Sequence, residues 1–390
     1  MLPNFLPTFT FTQQIKIMKA IIVMPLAEQR GGGEMMLWDL MQQGRNTGVE
    51  WLVIFLENGP MVEQVKSLGI DTRIVEIGRL RQIHRFVAAV WRIAAIARQE
   101  NADIIVNWMW ITHISGGLAA MLAGLPAVWY QLEVPSDKPL LVRLATLIPA
   151  RAIITLSQDG KQAQAEIWPH RPTPLVYPGV ALDRFQPDAL PSPQEARRKL
   201  GLPLHGPLIG IVGRLQRWKG MHVLVQAMPK ILQQYPDAHC VIVGGKHDFE
   251  PDYEDFLTAE IAALGLKEQV IMAGLQRNIP EWVQAMDVFV HASDKEPFGI
   301  VIIEAMALGK PVIAGDAGGP TEIITDGING LLTPYGDADK LAIAILRYLN
   351  EQEFAQSAGI AARQRALDFS THSYAQNFIN TVRSLIPSVS

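Results

Sequence analysis

The chain has 390 residues, of which 49% are hydrophobic and 18% charged, so it is a globular protein too long for a single hydrophobic core. Its 34 basic and 38 acidic residues give a net charge of −4, which argues against a dedicated nucleic-acid-binding protein. The single cysteine, Cys240, cannot form an intramolecular disulfide, and this indicates a reducing, cytoplasmic setting.

The first half of the chain alternates short apolar runs with amphipathic stretches. The apolar runs predict strands at 15–24, 51–56, 72–77, 102–108, 126–131, 151–156 and 173–178, with helices between them. This alternation is typical of a parallel sheet covered by helices on both faces. The segment between Asp103 and Glu133 contains no charged residue. Because Gly116–Gly117 and Pro126 interrupt it, we interpret it as strand, helix and strand rather than as a membrane span.

A proline-rich segment separates this half from the next, with four prolines from Pro178 to Pro193. A second series of apolar runs follows and predicts strands at 206–213, 238–245, 269–274, 287–293, 310–315 and 329–334. We therefore expect an α/β fold with two doubly wound domains, residues 1–184 and 185–370, that face each other across a cleft. Ligands of such sheets bind at the carboxyl ends of the strands, so the cleft is the predicted site.

The segment 296–304, EPFGIVIIE, carries two glutamates around a Phe-Gly turn. Its pattern places Glu296 on a loop and Glu304 in the first turns of a helix. Gly299 lets the backbone approach a ligand closely, and the helix N-terminus favours an anion. A glutamate behind that terminus can accept hydrogen bonds from a vicinal diol, so these groups suit a nucleotide sugar. The alternative is a buried strand-loop-helix unit with two incidental glutamates.

A basic loop, GRLQRWKG at 213–220, follows the first predicted strand of the second domain. A diphosphate needs cations at the end of a strand and a glycine that frees the backbone, and Arg214, Lys219 and Gly213 fit this need. The alternative is a basic loop that is exposed to solvent and binds no ligand, since it would have the same sequence pattern.

The two glutamates, the Pro-Phe-Gly after the first and the Gly-Gly-Pro-Thr-Glu at 318–322 resemble the donor-site signature of the retaining glycosyltransferases of family four. The resemblance extends from about Ile15 to the C-terminus. It implies the GT-B fold and transfer of a sugar from a UDP- or GDP-sugar to an acceptor hydroxyl with retention of configuration. It also implies an acceptor-binding first domain, a donor-binding second domain, no metal or other cofactor, and a last helix, about 371–390, that packs back on the first domain.

The resemblance further implies roles for individual residues. Arg214 and Lys219 would bind the diphosphate and stabilise the leaving group, which itself takes the proton of the acceptor in a front-face attack. Glu296 would contact the transferred sugar, and Glu304 the ribose. The other donor contacts would come from the backbone near Phe298, Gly299 and Ile300 and, for the base, near Leu275, Gln276 and Arg277.

Three successive glycines, Gly31, Gly32 and Gly33, precede a predicted helix in the first domain. Backbone N–H groups are uncovered at such a place, so the triplet is a candidate loop for a phosphate or an acceptor. A flexible turn is the alternative, and the spacing of the glycines is not that of a dinucleotide-binding fingerprint.

One position departs from the family pattern. Where relatives carry a His at the end of a strand near the donor sugar, this chain has Leu132. Either an alignment shift hides the equivalent residue, or Gln131, Glu133 or His113 takes its place. His113 can carry a proton near neutral pH and is a catalytic candidate, although a lone His at a helix start is more often structural.

A basic amphipathic stretch at 78–98 carries five arginines beside three large apolar residues, namely Arg79, Arg81, Arg85, Arg92 and Arg98 beside Phe86, Val87 and Trp91. This pattern fits a helix that lies on an anionic membrane surface, and an ordinary crossover helix with a solvated basic face equally well. The first reading predicts weak peripheral binding at the inner face of the membrane and a lipid-linked acceptor. The second favours a soluble acceptor.

Two other readings stay open on the sequence. A nucleotide-sugar epimerase or a phosphorylase can share the fold, and a phosphorylase would need Lys219 or Lys310 to bind its cofactor as a Schiff base. A non-catalytic nucleotide-sugar-binding subunit is the third reading, which Leu132 keeps open. The one Asp-X-Asp string, Asp337 to Asp339, is predicted to cap a helix rather than to bind a metal.

Overall fold

The computed structural model of the protein describes residues 17–29, 31–45, 47–78, 82–135 and 139–386. These residues form two six-stranded parallel sheets flanked by helices. The predicted α/β fold with two doubly wound domains is therefore confirmed.

The first sheet is built from β1 (Met18–Met24), β2 (Val49–Phe55), β3 (Asp71–Ile74), β4 (Ile104–Trp108), β5 (Ala127–Gln131) and β6 (Ala152–Thr155). Its helices are α1 (Gly32–Gly44), α2 (Pro60–Ser67), α3 (Ile83–Gln99), α4 (Trp110–Ala123), α5 (Pro139–Thr146) and α6 (Gln158–Ala165). The strand order is β3-β2-β1-β4-β5-β6.

The second sheet is built from β7 (Leu208–Val212), β8 (His239–Val243), β9 (Val270–Gly274), β10 (Val288–His291), β11 (Val312–Gly315) and β12 (Leu331–Thr333). The helices around it are α7 (Pro193–Leu200), α8 (Met221–Leu232), α9 (Tyr253–Ala263), α10 (Ile279–Ala285), α11 (Ile300–Ala307), α12 (Pro320–Ile323), α13 (Ala338–Asn350) and α14 (Gln352–Ala366). The strand order is β12-β11-β10-β7-β8-β9, and α15 (Thr371–Ser384) ends the described chain.

Both sheets place their first strand in the middle. All residues of β4 and of β7 are buried, as expected for strands of a sheet that helices cover on both faces. The strand order reverses between β1 and β4 in the first sheet and between β7 and β10 in the second. In doubly wound sheets the crevice at this reversal, at the carboxyl ends of the strands, is where ligands bind.

The prediction of a strand at 173–178 is wrong. Leu175 forms a single isolated bridge with Thr155, next to the end of β6. Pro172, Pro174 and Pro178 have no N–H group, so this segment cannot complete a ladder of hydrogen bonds. The chain therefore runs along the edge of the first sheet without extending it.

The chain returns to the first domain after α14. Thr371 N donates to the carbonyl of Val180 at 3.1 Å, and α15 then packs against α1. Phe378 of α15 is fully buried, with its ring centroid 5.8 Å from that of Trp108 and 5.2 Å from that of Tyr130. This aromatic contact attaches the end of the chain to the carboxyl ends of β4 and β5.

A polar contact joins the two domains at one end of the cleft. The carboxylate of Glu322, in α12, accepts a hydrogen bond from the backbone N of Gln158 at 2.8 Å, at the start of α6. It also accepts one from the hydroxyl of Tyr177 at 2.9 Å. The Tyr177 ring packs on Phe298 and Phe369, with centroid distances of 5.6 and 5.7 Å. Residues far apart in the sequence thus form a direct contact between the two domains.

No helix among the described residues is both long enough and apolar enough to cross a membrane. The uncharged segment between Asp103 and Glu133 forms β4, α4 and β5, as predicted. Gly124 ends α4 with φ 73°, in the left-handed region that glycine favours, so the chain turns back towards the sheet.

Candidate donor-binding site

Two charged side chains meet at the carboxyl edge of the second sheet. Lys219 ends a short 3-10 helix after β7, and Glu296 lies between β10 and α11. Because β7 and β10 are neighbouring strands, the loops at their carboxyl ends lie side by side. Lys219 Nζ donates to Glu296 Oε2 at 2.5 Å, and only 13% and 11% of the two side chains are exposed. Residues that the sequence placed in separate motifs therefore form one ion pair.

A histidine that the sequence analysis did not single out contacts the same carboxylate. His291 ends β10 and is buried, with Nε2 3.0 Å from Oε2 of Glu296. Burial alone would raise the pKa of Glu296, but the charge of Lys219 and the hydrogen bond from His291 outweigh it and hold this pKa well below its ordinary value. Burial lowers the pKa of His291, so its ring is neutral and donates from Nε2 to the carboxylate. The sequence signal that could have identified His291 is its position at the end of a predicted strand, two residues before Ser293.

Arg214 lies on the same loop as Lys219 and projects into solvent. Its Nη1 is 3.1 Å from Nε2 of His247, which follows β8, the strand next to β7. The sequence analysis missed His247 as well, although it stands four residues beyond a buried strand, at the carboxyl edge of the sheet. Arg214, Lys219 and His247 therefore border one side of the cleft.

The glycine loop of the first domain borders the opposite side. A Cβ atom added to Gly31 would lie 3.7 Å from Cζ of Arg214, and one added to Gly32 would lie 3.2 Å from the side chain of Ile300. The carbonyl of Gly33 accepts a hydrogen bond from the indole N–H of Trp108 at 2.9 Å, which anchors the loop to β4. The structure thus brings the Gly31–Gly33 loop against the basic loop and the start of α11, across the cleft between the domains.

The helix α11 begins at this cleft. Gly299 precedes it with φ 106°, a value that only glycine adopts without strain, and this lets the first turn start directly after the Glu296 loop. No side chain caps that turn, so its first backbone N–H groups are available to an anion. The ring of Phe298 is buried against Tyr177 and Phe369 at the domain contact, so only its backbone is available to a ligand.

Glu304 lies one turn further along α11 and is half-buried. Burial raises its pKa to about 8, with Arg184 opposing this effect and Asp39 of α1 adding to it. Burial also raises the pKa of Asp39, to about 7, and Arg184 again opposes this effect. The raised pKa favours the protonated form of Glu304, in which the carboxyl group can donate a hydrogen bond as well as accept one.

The loop after β9 forms the outer rim of the site. Gln276 turns back on this loop, and its Nε2 donates to the carbonyl of Ala273 at 2.7 Å. Leu275 is 79% exposed, and its side chain packs over Gly245 after β8. An exposed apolar side chain beside free backbone suits the flat face of a nucleobase.

The Asp-X-Asp string caps a helix, as predicted. Asp337 is the N-cap of α13, and its side chain accepts a hydrogen bond from the backbone N of Lys340 at 2.9 Å. Asp339 forms an ion pair with Lys230 at 2.8 Å. Within the described ranges, no group of three His, Cys, Asp or Glu side chains is arranged to hold a metal ion.

Comparison with known proteins identifies the family of the chain. The family model "Glycosyl transferases group 1" matches residues 192–365, and the model "Glycosyltransferase Family 4" matches residues 30–184. D-inositol 3-phosphate glycosyltransferase of Acidothermus cellulolyticus is 30% identical over 74% of this chain and 70% of that protein. The chain belongs to the family-four glycosyltransferases.

Two further likenesses support this assignment. The enzyme of the same name from Corynebacterium urealyticum is 34% identical, but the match spans only 54% of this chain and 51% of that relative. The crystal structure of Anabaena Alr3699/HepE in complex with UDP and glucose superposes with a TM-score of 0.84 at 26% identity, covering 94% of this chain and all of that one. The predicted GT-B fold and the glycosyltransferase class are therefore confirmed.

In this glycosyltransferase Leu132 lies at the cleft. A Cβ atom on Gly33 would come within 2.9 Å of Cδ1 of Leu132, so an aliphatic side chain fills the space beside the glycine loop. Gln131 does not take the place of the family His, because it is buried and its Oε1 accepts from the indole of Trp129 at 3.0 Å. Glu133 is half-buried beyond the end of β5.

His113 does not fit the catalytic role that the sequence suggested. It is fully buried in α4, with Nδ1 3.0 Å from Nδ2 of Asn107 and Nε2 3.2 Å from the carbonyl of Ile148. Its ring stacks on Trp129, and burial lowers its pKa to about 4. Because both ring nitrogens have partners inside the first domain, His113 is a structural residue.

Lys310 cannot serve as a cofactor lysine in the cleft. It is buried just before β11, at the amino edge of the sheet, and its Nζ donates to the carbonyls of Gln284 and Met286 at 2.7 and 2.9 Å. Lys219 does lie at the cleft, where it is paired with Glu296. The phosphorylase reading therefore loses Lys310 and depends on Lys219 alone.

Proposed function

We propose that this glycosyltransferase moves a sugar from a nucleoside diphosphate sugar to an acceptor hydroxyl with retention of configuration. The observation that carries the proposal is the buried Lys219–Glu296 pair at the N-terminus of α11, with Arg214 at its side. Lys219, Arg214 and the helix terminus are positive and suit the diphosphate, whereas Glu296 is an acceptor for sugar hydroxyls. The UDP and glucose bound to Anabaena Alr3699/HepE support this choice of donor.

The chemistry follows from what the cleft contains. Glu296 is held by Lys219 and His291 and so is positioned to accept hydrogen bonds, not to attack the anomeric carbon. Leu132 offers no base. In the proposed step the bond from the anomeric carbon to the phosphate oxygen breaks, the acceptor oxygen attacks the same face, and the leaving phosphate takes its proton. Lys219 and Arg214 stabilise the charge that develops on that phosphate.

The test is a transfer assay with UDP-glucose and GDP-mannose as first donors and a panel of acceptors. Release of nucleoside diphosphate that depends on acceptor supports transfer, and NMR of the product should show the anomeric configuration of the donor. An epimerase would change the sugar without acceptor-dependent release. Donor binding without turnover across the panel would favour a non-catalytic subunit.

Transfer is expected to continue in the presence of EDTA. The proposed site neutralises the diphosphate with fixed cations and helix N–H groups, so a divalent ion has no required place in it. Initial rates are measured before and after dialysis against EDTA, with Mn²⁺ and Mg²⁺ added back separately. A rate that is lost on dialysis and returns only with Mn²⁺ would contradict this prediction.

A second part of the proposal concerns the acceptor. The helix α3 exposes Ile83, Val87 and Trp91 at spacings of four residues, with 72%, 46% and 56% of each residue accessible. Phe86 instead packs against the core of the first domain. Arg85 and Arg92 are exposed on the same helix, whereas Arg79 and Arg81 lie outside the described residues. An ordinary crossover helix would bury Val87 and Trp91, so their exposure favours a membrane surface.

The short helix α5 and the residue after it expose a second row of apolar side chains. Leu140, Leu141, Leu144 and Leu147 are 69%, 47%, 52% and 52% accessible, with Arg143 exposed among them. Because α4 packs against both α3 and α5, these side chains belong to one helical layer. We call them the α3–α5 surface: Ile83, Arg85, Val87, Trp91, Arg92, Leu140, Leu141, Arg143, Leu144 and Leu147. Its combination of arginine and leucine matches an anionic bilayer, and the acceptor is then lipid-linked.

The protein is expected to float with anionic liposomes at low salt and to bind neutral liposomes less. Each arginine contributes about 1 kcal/mol near an anionic leaflet, so Arg85→Ala or Arg92→Ala should lower partitioning about fivefold. Trp91→Ser combined with Leu144→Ser should lower it further. Ile360→Ser is the matched control, because Ile360 is 73% exposed on α14, outside this surface. Absence of flotation with anionic liposomes at low salt would contradict a membrane role. So would light scattering that shows a dimer of the wild type which these variants abolish.

A further inference from the structure

The Gly-Gly-Pro-Thr-Glu segment at 318–322 joins the donor site to the first domain. At its start, Gly319 N donates to the carbonyl of Glu296 at 2.8 Å, and a Cβ atom added to Gly319 would clash with Cα of Phe298. Only a residue without a side chain can approach the backbone this closely. The segment is therefore fixed to the loop that carries Glu296, and Glu322 follows three residues later.

The side chain of Glu322 contacts the first domain through both of its oxygens. Oε1 accepts from the backbone N of Gln158 at 2.8 Å and from that of Asp159 at 3.3 Å, in the first turn of α6. Oε2 accepts from the hydroxyl of Tyr177 at 2.9 Å. A carboxylate is well placed there, because it satisfies free N–H groups and lies at the positive end of the helix dipole.

This contact lies beside the two segments in which the chain passes between the domains. Val180 N donates to the carbonyl of Phe369 at 2.7 Å, and Thr371 N donates to that of Val180 at 3.1 Å. A Cβ atom added to Gly179 would lie only 2.6 Å from the backbone N of Thr371, so the two segments pack backbone to backbone. We call this pair, residues 179–180 and 370–371, the pivot, because a rotation of one domain against the other has to occur there.

We propose that Glu322 is a positioning residue for sugar transfer, whose carboxylate fixes the angle between the two domains at the pivot. The inference rests on the proposed function, because it takes transfer across the cleft as the reaction. The start of α11 and the Gly31–Gly33 loop meet across that cleft. Front-face attack needs the reacting atoms roughly 3–3.5 Å apart. A rotation that separates Glu322 from Gln158 also changes the distance between the two sides of the cleft.

The backbone of Glu322 has a support of its own. Arg365 of α14 donates to the carbonyls of Glu322 and Ile323 at 2.8 and 3.3 Å. Replacement of the Glu322 side chain therefore removes the contact with the first domain and leaves α12 attached to the second. Variants at this position report on domain position rather than on folding of the donor site.

The test compares Glu322→Ala with the wild type in three measurements. Small-angle X-ray scattering should give a larger radius of gyration for the variant, because its domains are less constrained. The kcat of transfer should fall about 10- to 150-fold, the loss expected for a hydrogen bond to a charged group. Calorimetric affinity for UDP should change by less than about twofold, because the proposed diphosphate contacts of Arg214 and Lys219 remain.

Two further variants separate positioning from a general structural role. Glu322→Gln keeps an oxygen for the N–H of Gln158 and an amide that can donate to the Tyr177 hydroxyl, so its kcat should lie between those of the wild type and Glu322→Ala. Tyr177→Phe should lower kcat by itself but add little to Glu322→Ala, because both changes break the same bond. Glu351→Ala is the matched control, since it removes an exposed ion pair with Arg347 inside the second domain.

Three outcomes decide against these proposals. An unchanged kcat or an unchanged radius of gyration in Glu322→Ala overturns the inference. So does a loss of UDP affinity as large as the loss of kcat, which would place Glu322 in the donor site. A wild type that transfers no sugar and binds neither UDP nor GDP overturns the proposed function itself, whereas the scattering data test the domain contact independently.

Discussion

Replacing Lys219 by Ala is expected to abolish sugar transfer and to weaken nucleoside diphosphate binding by about 1.5–3 kcal/mol, the worth of a hydrogen bond to a charged group. Arg214→Ala should weaken binding by a similar amount. The two variants should differ in stability, because Arg214 is exposed whereas Lys219 neutralises a buried carboxylate. Calorimetric titration with UDP and GDP measures the binding, and thermal unfolding measures the stability.

A double-variant cycle separates the two effects of Lys219. Loss of one partner of a buried ion pair costs about 3–5 kcal/mol of unfolding free energy, so Lys219→Ala should lower the Tm clearly. Lys219→Ala combined with Glu296→Gln removes both charges and should recover much of that stability, but it should not recover binding. Unchanged nucleotide affinity in both the Arg214 and the Lys219 variant would show that the diphosphate binds elsewhere.

Replacing Glu296 by Ala is expected to abolish transfer while nucleoside diphosphate binding remains. Glu296 is proposed to contact the transferred sugar, and its removal frees the Lys219 ammonium for the phosphate. Glu304→Ala should have the opposite profile and weaken nucleotide binding itself, by about 1–3 kcal/mol, because the proposed hydrogen-bond partner of the ribose is lost. Transfer rates and calorimetric affinities of both variants test this division of roles.

Two controls sharpen this comparison. Glu296→Gln keeps the shape of the side chain and removes its charge, so a large loss of transfer in this variant would show that the ionised form is needed. His291→Gln should reduce transfer less than Glu296→Ala, since His291 orients the carboxylate and does not touch the sugar in the proposal. Equal loss of nucleotide affinity in Glu296→Ala and Glu304→Ala would contradict the assignment of one glutamate to each sugar.

The amino-acid sequence by itself determined the two sheets and the local chemistry of the donor site. Alternating apolar runs and helical patterns specify parallel strands, since each strand buries both faces, and twelve of the thirteen predicted strands are present. The exception at 173–178 has prolines where a ladder needs N–H groups. Arg214, Lys219 and Glu296 were recognisable because each stands in a short local motif at the end of a strand.

Only the tertiary structure decided which residues meet. His247 and His291 belong to no local motif, and their contacts with Arg214 and Glu296 arise because parallel neighbouring strands bring distant loops to one edge. His113 has the residue type of a proton carrier, but α4 packs it against Trp129, away from water. Sequence periodicity likewise could not distinguish a buried from an exposed Trp91. Burial depends on the neighbouring helices, and the packing of α4 against α3 leaves that side of the helix in solvent.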